Sequence, residues 1–100
     1  VNYDVSEGGG VTDWLRAAGL CRAAGVAMAH HEEAQIASHL LAAVPHGTYA
    51  ECFADPARDP VWQQMWINRP PVRNGMMQVA TGAGFGIELD EKMIQKFRSN

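Results

Sequence analysis

Three ionisable residues stand out by type and spacing: Asp4, His31 and Glu51. Each ends, follows or interrupts a short apolar, β-prone stretch: Val1–Val5, Val26–Ala29 and Tyr49–Phe53. Neighbouring strands lie about 4.8 Å apart. Near the C-terminal ends of three adjacent strands, Asp4 would hold one ring nitrogen of His31, fixing its tautomer and raising its basicity. The other nitrogen is then free to take or give a proton near neutral pH. Glu51 enters from the far side, where a protonated carboxyl can donate to an oxygen that gains charge. Such a set suits removal of a proton next to a carboxylate, with His31 as the base.

Taken singly, each residue has a plainer reading. An Asp at a strand end is commonly a turn or cap residue. A His before a helix is often a cap or surface residue, and Glu51 reads equally as an ion-pair partner. His30 and His31 are adjacent, and neighbours on a strand point to opposite faces, so only one of them can face a pocket. The spacing of the three along alternating elements is what joins them. A zinc reading fails: His31-Glu32 begins an HExxH pattern, but position 35 is Gln where a second His is required. His39 lies too far round the helix to replace it, and His39 and His46 read as packing or turn residues.

The elements that must position these groups alternate. After the first strand, Ser6-Glu7-Gly8-Gly9-Gly10 makes a turn. A tight strand-to-helix connection is favoured over a phosphate cradle, because GxGxxG spacing and a Walker lysine are both missing. Thr12 reads as a helix N-cap with Asp13 in the first turn. Trp14, Leu15, Ala18, Leu20 and Ala24 then keep an apolar stripe, and Gly25 stops the helix. Val26–Ala29 is expected as a buried strand. A second helix runs from about Glu33 to Ala43, with Ile36, Leu40 and Leu41 facing in, until Pro45 and Gly47 end it. The resulting β-α-β-α-β order argues for parallel strands with right-handed crossovers. Three strands do not bury both faces of a parallel sheet, so something must complete it.

The character changes after Phe53. Asp55-Pro56 and Asp59-Pro60 read as an irregular loop, and Val61–Ile67 as a short helix or turn. Asn74-Gly75 signals a hairpin. Thr81–Gly86 (TGAGFG) is glycine punctuation, and Glu88–Arg98 reads as an amphipathic helix with Asp90 as N-cap.

Composition narrows the function. The 100 residues allow one domain at most; 47% are hydrophobic and 19% charged, an ordinary globular balance. A net charge of -3 argues against a basic nucleic-acid face or a polybasic membrane patch. Apolar runs fall far short of the roughly 20 residues of a membrane span. Cys21 and Cys52 fit no metal spacing and are expected as free thiols in a reducing cytoplasm.

Three stretches carry a resemblance: Asp4 followed by GGVTDWLRAAGLCRAAGVAM, then AHHEEAQIASHLLAAVPHGTYAE, then GFGIELDE. In this order they resemble the C-terminal third of the mandelate racemase/muconate lactonizing enzyme branch of the enolase superfamily. The resemblance implies a segment of a modified (β/α)8 TIM-type barrel closed by an α+β cap. Residues 1–53 would be strands six to eight with their helices, and residues 54–100 a C-terminal return toward the cap. Asp4 resembles the Asp of a His–Asp dyad, His31 the general base, and Glu51 the acid that stabilises the enolate. Superfamily sites use a Lys or His base with Mg²⁺; its carboxylate ligands are expected upstream of Val1. The second-face base of the family, usually a lysine motif, is likewise expected upstream, and Ala83 departs by standing where the family usually has Pro in this turn. The implied activity is Mg²⁺-dependent proton abstraction from a hydroxy-carboxylate. An acid-sugar dehydratase (a lyase) leads, with a racemase, epimerase or cycloisomerase (an isomerase) second. The expected partner is the small acid, with no nucleic acid and no membrane, in a cytoplasmic homo-oligomer. A barrel piece without enzymatic activity, serving as a structural or interaction module, is the reading from the other class. Alone, the piece would bare sheet edges and apolar surface.

Overall fold

A computed structural model describes residues 1–53, 55 and 57–99. The reading at Pro56 lies outside them. Helix α1 spans Gly10–Ala23, strand β1 Met28–His30, helix α2 Ala34–Ala42 and strand β2 Gly47–Ala50. Helix α3 (Pro60–Gln64), strands β3 (Val72–Arg73) and β4 (Met76–Met77), and helix α4 (Glu91–Phe97) follow.

The alternating half is parallel, as its pattern requires. β1 pairs with β2 through Met28↔Gly47 and His30↔Ala50, so β2 carries one extra residue between these pairs. On the other side Asn2 forms a parallel bridge with Ala29. The expected first strand over Val1–Val5 is thus reduced to one bridge, extended by the Tyr3 N–H to Ala29 and the Ala29 N–H to Val1. The expected Val26–Ala29 strand starts two residues later and ends one residue later. Val26 and Ala27 are exposed, while Met28 and His30 are the residues turned inward. The third strand, expected at Tyr49–Phe53, instead begins at Gly47 and ends at Ala50. Register here is set by pairing with neighbours, which four apolar residues in a row do not encode.

The core gathers Val5, Trp14, Ala18, Cys21, Met28 and Leu40, with Tyr3, Ile36, Leu41 and Val44 packed against it. Trp14 and Met28 are both fully buried. α1 begins earlier than Thr12 predicts: Gly9 occupies the N-cap at φ +96° without a side-chain cap, and Thr12 lies exposed in the first turn. Gly25 stops the helix as expected. At φ +68° it donates to Arg22 while the Val26 N–H reaches Cys21, a Schellman pair.

In the second half Asn74 and Gly75 both take positive φ, giving the tight hairpin turn their pairing predicts. Asp90 caps α4 by accepting from the Lys92 and Met93 amides. α4 is shorter than the expected 88–98 range.

No barrel is closed: among the described residues the sheet of β1 and β2 has the Asn2 bridge on one side and no partner on the other. Leu20, Tyr49 and Met76 stand largely bare, as expected of a piece that needs a neighbour. Both cysteines are free. Among the described residues, no helix is long and apolar enough to cross a membrane.

Candidate active site

The site forms where the chain leaves its parallel strands. Asp4 follows the Asn2 bridge, His31 follows β1, and Glu51 follows β2 with its N–H on the His30 carbonyl at 2.9 Å. The pairing therefore brings together three residues up to 47 positions apart.

Asp4 is held from both sides. Its Oδ1 accepts from the Ser6 N–H at 2.7 Å, the Ser6 hydroxyl at 2.8 Å and the Glu7 N–H at 3.0 Å. Its Oδ2 lies 3.0 Å from His31 Nδ1. Burial pushes this carboxyl up, but the bonds from Glu7, His31 and Ser6 outweigh it and leave Asp4 at about 2, below its ordinary 3.8. An ionised Asp4 accepts a hydrogen bond from Nδ1–H, so the lone pair of neutral His31 sits on Nε2. That nitrogen lies 3.6 Å from Glu51 Oε2. The Asp4 bond is also the main reason His31 is raised above its ordinary 6.5. Desolvation opposes the rise, and the charges of Glu51, Glu32 and Asp4 support it.

His30 takes the opposite face, as strand alternation demands. It is fully buried and stacks on Trp14 with centroids 6.2 Å apart. Its Nε2 accepts the Val5 N–H at 3.2 Å, so Nδ1 carries the proton that it donates to the His31 carbonyl at 2.8 Å. The ring stands in for the next rung of the parallel ladder and fixes the chain on both sides of the dyad. His39 and His46 do structural work: their Nε2 atoms bond the carbonyls of Phe85 and Ala18.

Sequence reasoning passed over three further residues. Ser6 makes the turn that clamps Asp4, a role its place two residues after an Asp could have signalled. Glu32 and Glu33 adopt φ +51° and +46°, a left-handed conformation uncommon for residues other than Gly and Asn. The Glu32 amide donates to Glu51 Oε2 at 3.3 Å. One ligand atom each from His31, Glu32 and Glu51 lies within 4.8 Å of the others. Glu33 faces a cavity of about 20 Å³, room for one water, together with Glu51, Asp59, Gln63 and Arg69. Burial raises the Glu33 carboxyl above its ordinary 4.5.

The family model described as enolase C-terminal domain-like matches residues 1–93. The chain belongs to that family, within the mandelate racemase/muconate lactonizing enzyme branch. A crystal structure of a mandelate racemase/muconate lactonizing enzyme is 45% identical over 99% of this chain, with a TM-score of 0.90. A second, from a marine actinobacterium in complex with magnesium, is also 45% identical over 99%, with a TM-score of 0.89. L-talarate dehydratase from Polaromonas sp. JS666, complexed with Mg and L-glucarate, is 29% identical over 98%, with a TM-score of 0.81. This chain spans 27%, 28% and 26% of those three chains, respectively. A comparison with curated protein sequences finds no match.

Mg²⁺ asks for a near-octahedral set of oxygen ligands. Asp4 already spends both oxygens on hydrogen bonds, and the cluster around Glu51 includes the His31 nitrogen. The described residues therefore do not by themselves make an oxygen cage for this ion.

Proposed function

We propose that this chain supplies the base side of an enolase-type active site that removes the proton α to a carboxylate. The observation that carries the reading is the position of His31, bonded to Asp4 through Nδ1 at 3.0 Å with Nε2 facing Glu51 at 3.6 Å. In this reading residues 1–53 are strands six to eight of a (β/α)8 barrel with their helices, and residues 54–100 return toward an α+β cap. Magnesium, present in two of the relatives above, would sit on carboxylates of the polypeptide that lie outside this chain.

Neutral His31 takes the α-proton on Nε2, and the C–H electron pair passes into the carboxylate as an enediolate. Ionised Asp4 steadies the imidazolium that forms. Glu51, in this reading, is the acid that stabilises the enediolate at the oxygen nearest it. In a dehydratase the β C–O bond then breaks with its electron pair, and His31 returns its proton to the departing hydroxide as water. The enol product rearranges to a 2-keto-3-deoxy acid. An acid sugar is the favoured substrate class, in keeping with the L-glucarate bound by the talarate dehydratase.

The test is His31→Asn in the complete polypeptide with Mg²⁺, using a panel of sugar acids that includes L-glucarate. Solvent deuterium entry at the α-carbon should fall by about 10² to 10⁴, the usual contribution of a general base. Exchange at the unsubstituted rate refutes the assignment. Recovery of the α-epimer in place of a keto acid assigns the racemase or epimerase outcome instead.

A further inference from the structure

We propose that Glu32 is a specificity-determining residue of this site, accepting a hydrogen bond from a substrate hydroxyl within a few bonds of the reacting carbon. The inference rests on the reading of His31 as the base and goes one step further, to what the substrate must carry.

Three observations place Glu32 there. Its carboxylate converges with His31 and Glu51 inside 4.8 Å, although the residue after a strand-end base ordinarily points away from it. The left-handed backbone at residue 32 makes this possible by turning the chain before α2 starts at Ala34. No side-chain hydrogen bond of Glu32 forms among the described residues, and no Lys or Arg comes within ion-pair distance of it there. A half-buried carboxylate beside a neutral base, with no ion-pair partner among the described residues, favours a ligand group that donates hydrogen bonds.

The same charge orients the substrate. A substrate carboxylate placed against Glu32 would meet a like charge, so it takes the Glu51 end of the site, where the enediolate oxygen is received. The hydroxyl-bearing carbons then run toward Glu32. An aryl or alkyl group in that position would desolvate the Glu32 carboxylate without replacing its water. The class selected is a polyhydroxylated acid rather than an aryl hydroxy acid.

The test uses the complete polypeptide with Mg²⁺, six-carbon aldonic and aldaric acids, and their mono-deoxy analogues. The readout is the ratio of kcat/KM for α-proton exchange between each hydroxylated acid and its deoxy partner. For the analogue lacking the hydroxyl that faces residue 32, Glu32→Leu should collapse the ratio by about 10- to 100-fold. Glu32→Gln keeps an acceptor and should hold the ratio within about threefold. An unchanged ratio in Glu32→Leu, or equal loss in both variants, overturns the assignment and leaves His31 as the base intact. Lack of exchange by the unsubstituted polypeptide with every acid overturns the base assignment and this inference with it.

Discussion

Asp4→Asn is the most searching substitution, because the structure dictates how the new side chain must sit. Three donors converge on Oδ1: the Ser6 amide, the Ser6 hydroxyl and the Glu7 amide. Only the carbonyl of Asn can accept from them, so its NH₂ takes the place of Oδ2, 3.0 Å from His31 Nδ1. Two donors would then face each other unless His31 moves its proton to Nε2. That tautomer carries its lone pair on the wrong nitrogen. Restoring the productive form costs a charge-assisted hydrogen bond and leaves opposed donors, about 3–5 kcal/mol together. At about 1.4 kcal/mol per tenfold, α-proton exchange should fall by about 10² to 10⁴. The equivalent change in a serine protease dyad sits near the upper end. The pH profile provides an independent check. With His31 as the base, the rate in the unsubstituted protein should rise as His31 loses its proton, with an acid limb above 6.5. The Asp4 bond is the main cause of that elevation, and its loss should move the limb down. The assays are deuterium exchange followed by NMR across pH, and ¹⁵N shifts of the His31 ring to report the tautomer. A rate within tenfold of the unsubstituted protein, with an unmoved acid limb and Nδ1 still protonated, refutes the reasoning.

Asp4 also links stability to acid. Its carboxyl lies at about 2 when folded against an ordinary 3.8, so its contribution is present above pH 4 and lost as pH falls toward 2. Urea unfolding of the complete polypeptide should show the difference between unsubstituted and Asp4→Asn protein shrinking by about 1–2 kcal/mol over that interval, after allowance for solvent screening. Gly25→Ala adds a methyl into open space but forces φ +68° on a residue with a Cβ; denaturant midpoints should report a loss of about 1–2 kcal/mol.

Much of the first half is legible because its signals are local. Gly25 ends α1 whatever surrounds it, since the left-handed residue of a Schellman pair favours a residue without a Cβ. Asn74-Gly75 and Asp90 act on their own neighbours in the same way. The three site residues are legible because each closes one unit of an alternating pattern. The strand limits are not. Val26, Ala27, Met28 and Ala29 are equally apolar, and only the rungs to Asn2 and Gly47 decide that Met28 points inward and Val26 outward. The early start of α1 is hidden for a similar reason. Thr12 is the better cap by propensity, but the glycines accept the positive φ that brings the chain round from Asp4.

By itself the sequence determined which groups are available, an Asp, a His and a Glu on successive β-α units, because residue type and periodicity are written along the chain. Tertiary structure alone decided which histidine serves which purpose. His30 is fixed as a ladder partner beside Trp14 because both ring nitrogens are spent on backbone atoms. His31 keeps Nε2 free because Asp4, 27 residues away, takes only Nδ1. Tertiary structure likewise turned Glu32 toward the site, since two successive left-handed residues that are not glycine go against local propensity and are held only by the strands and helix around them.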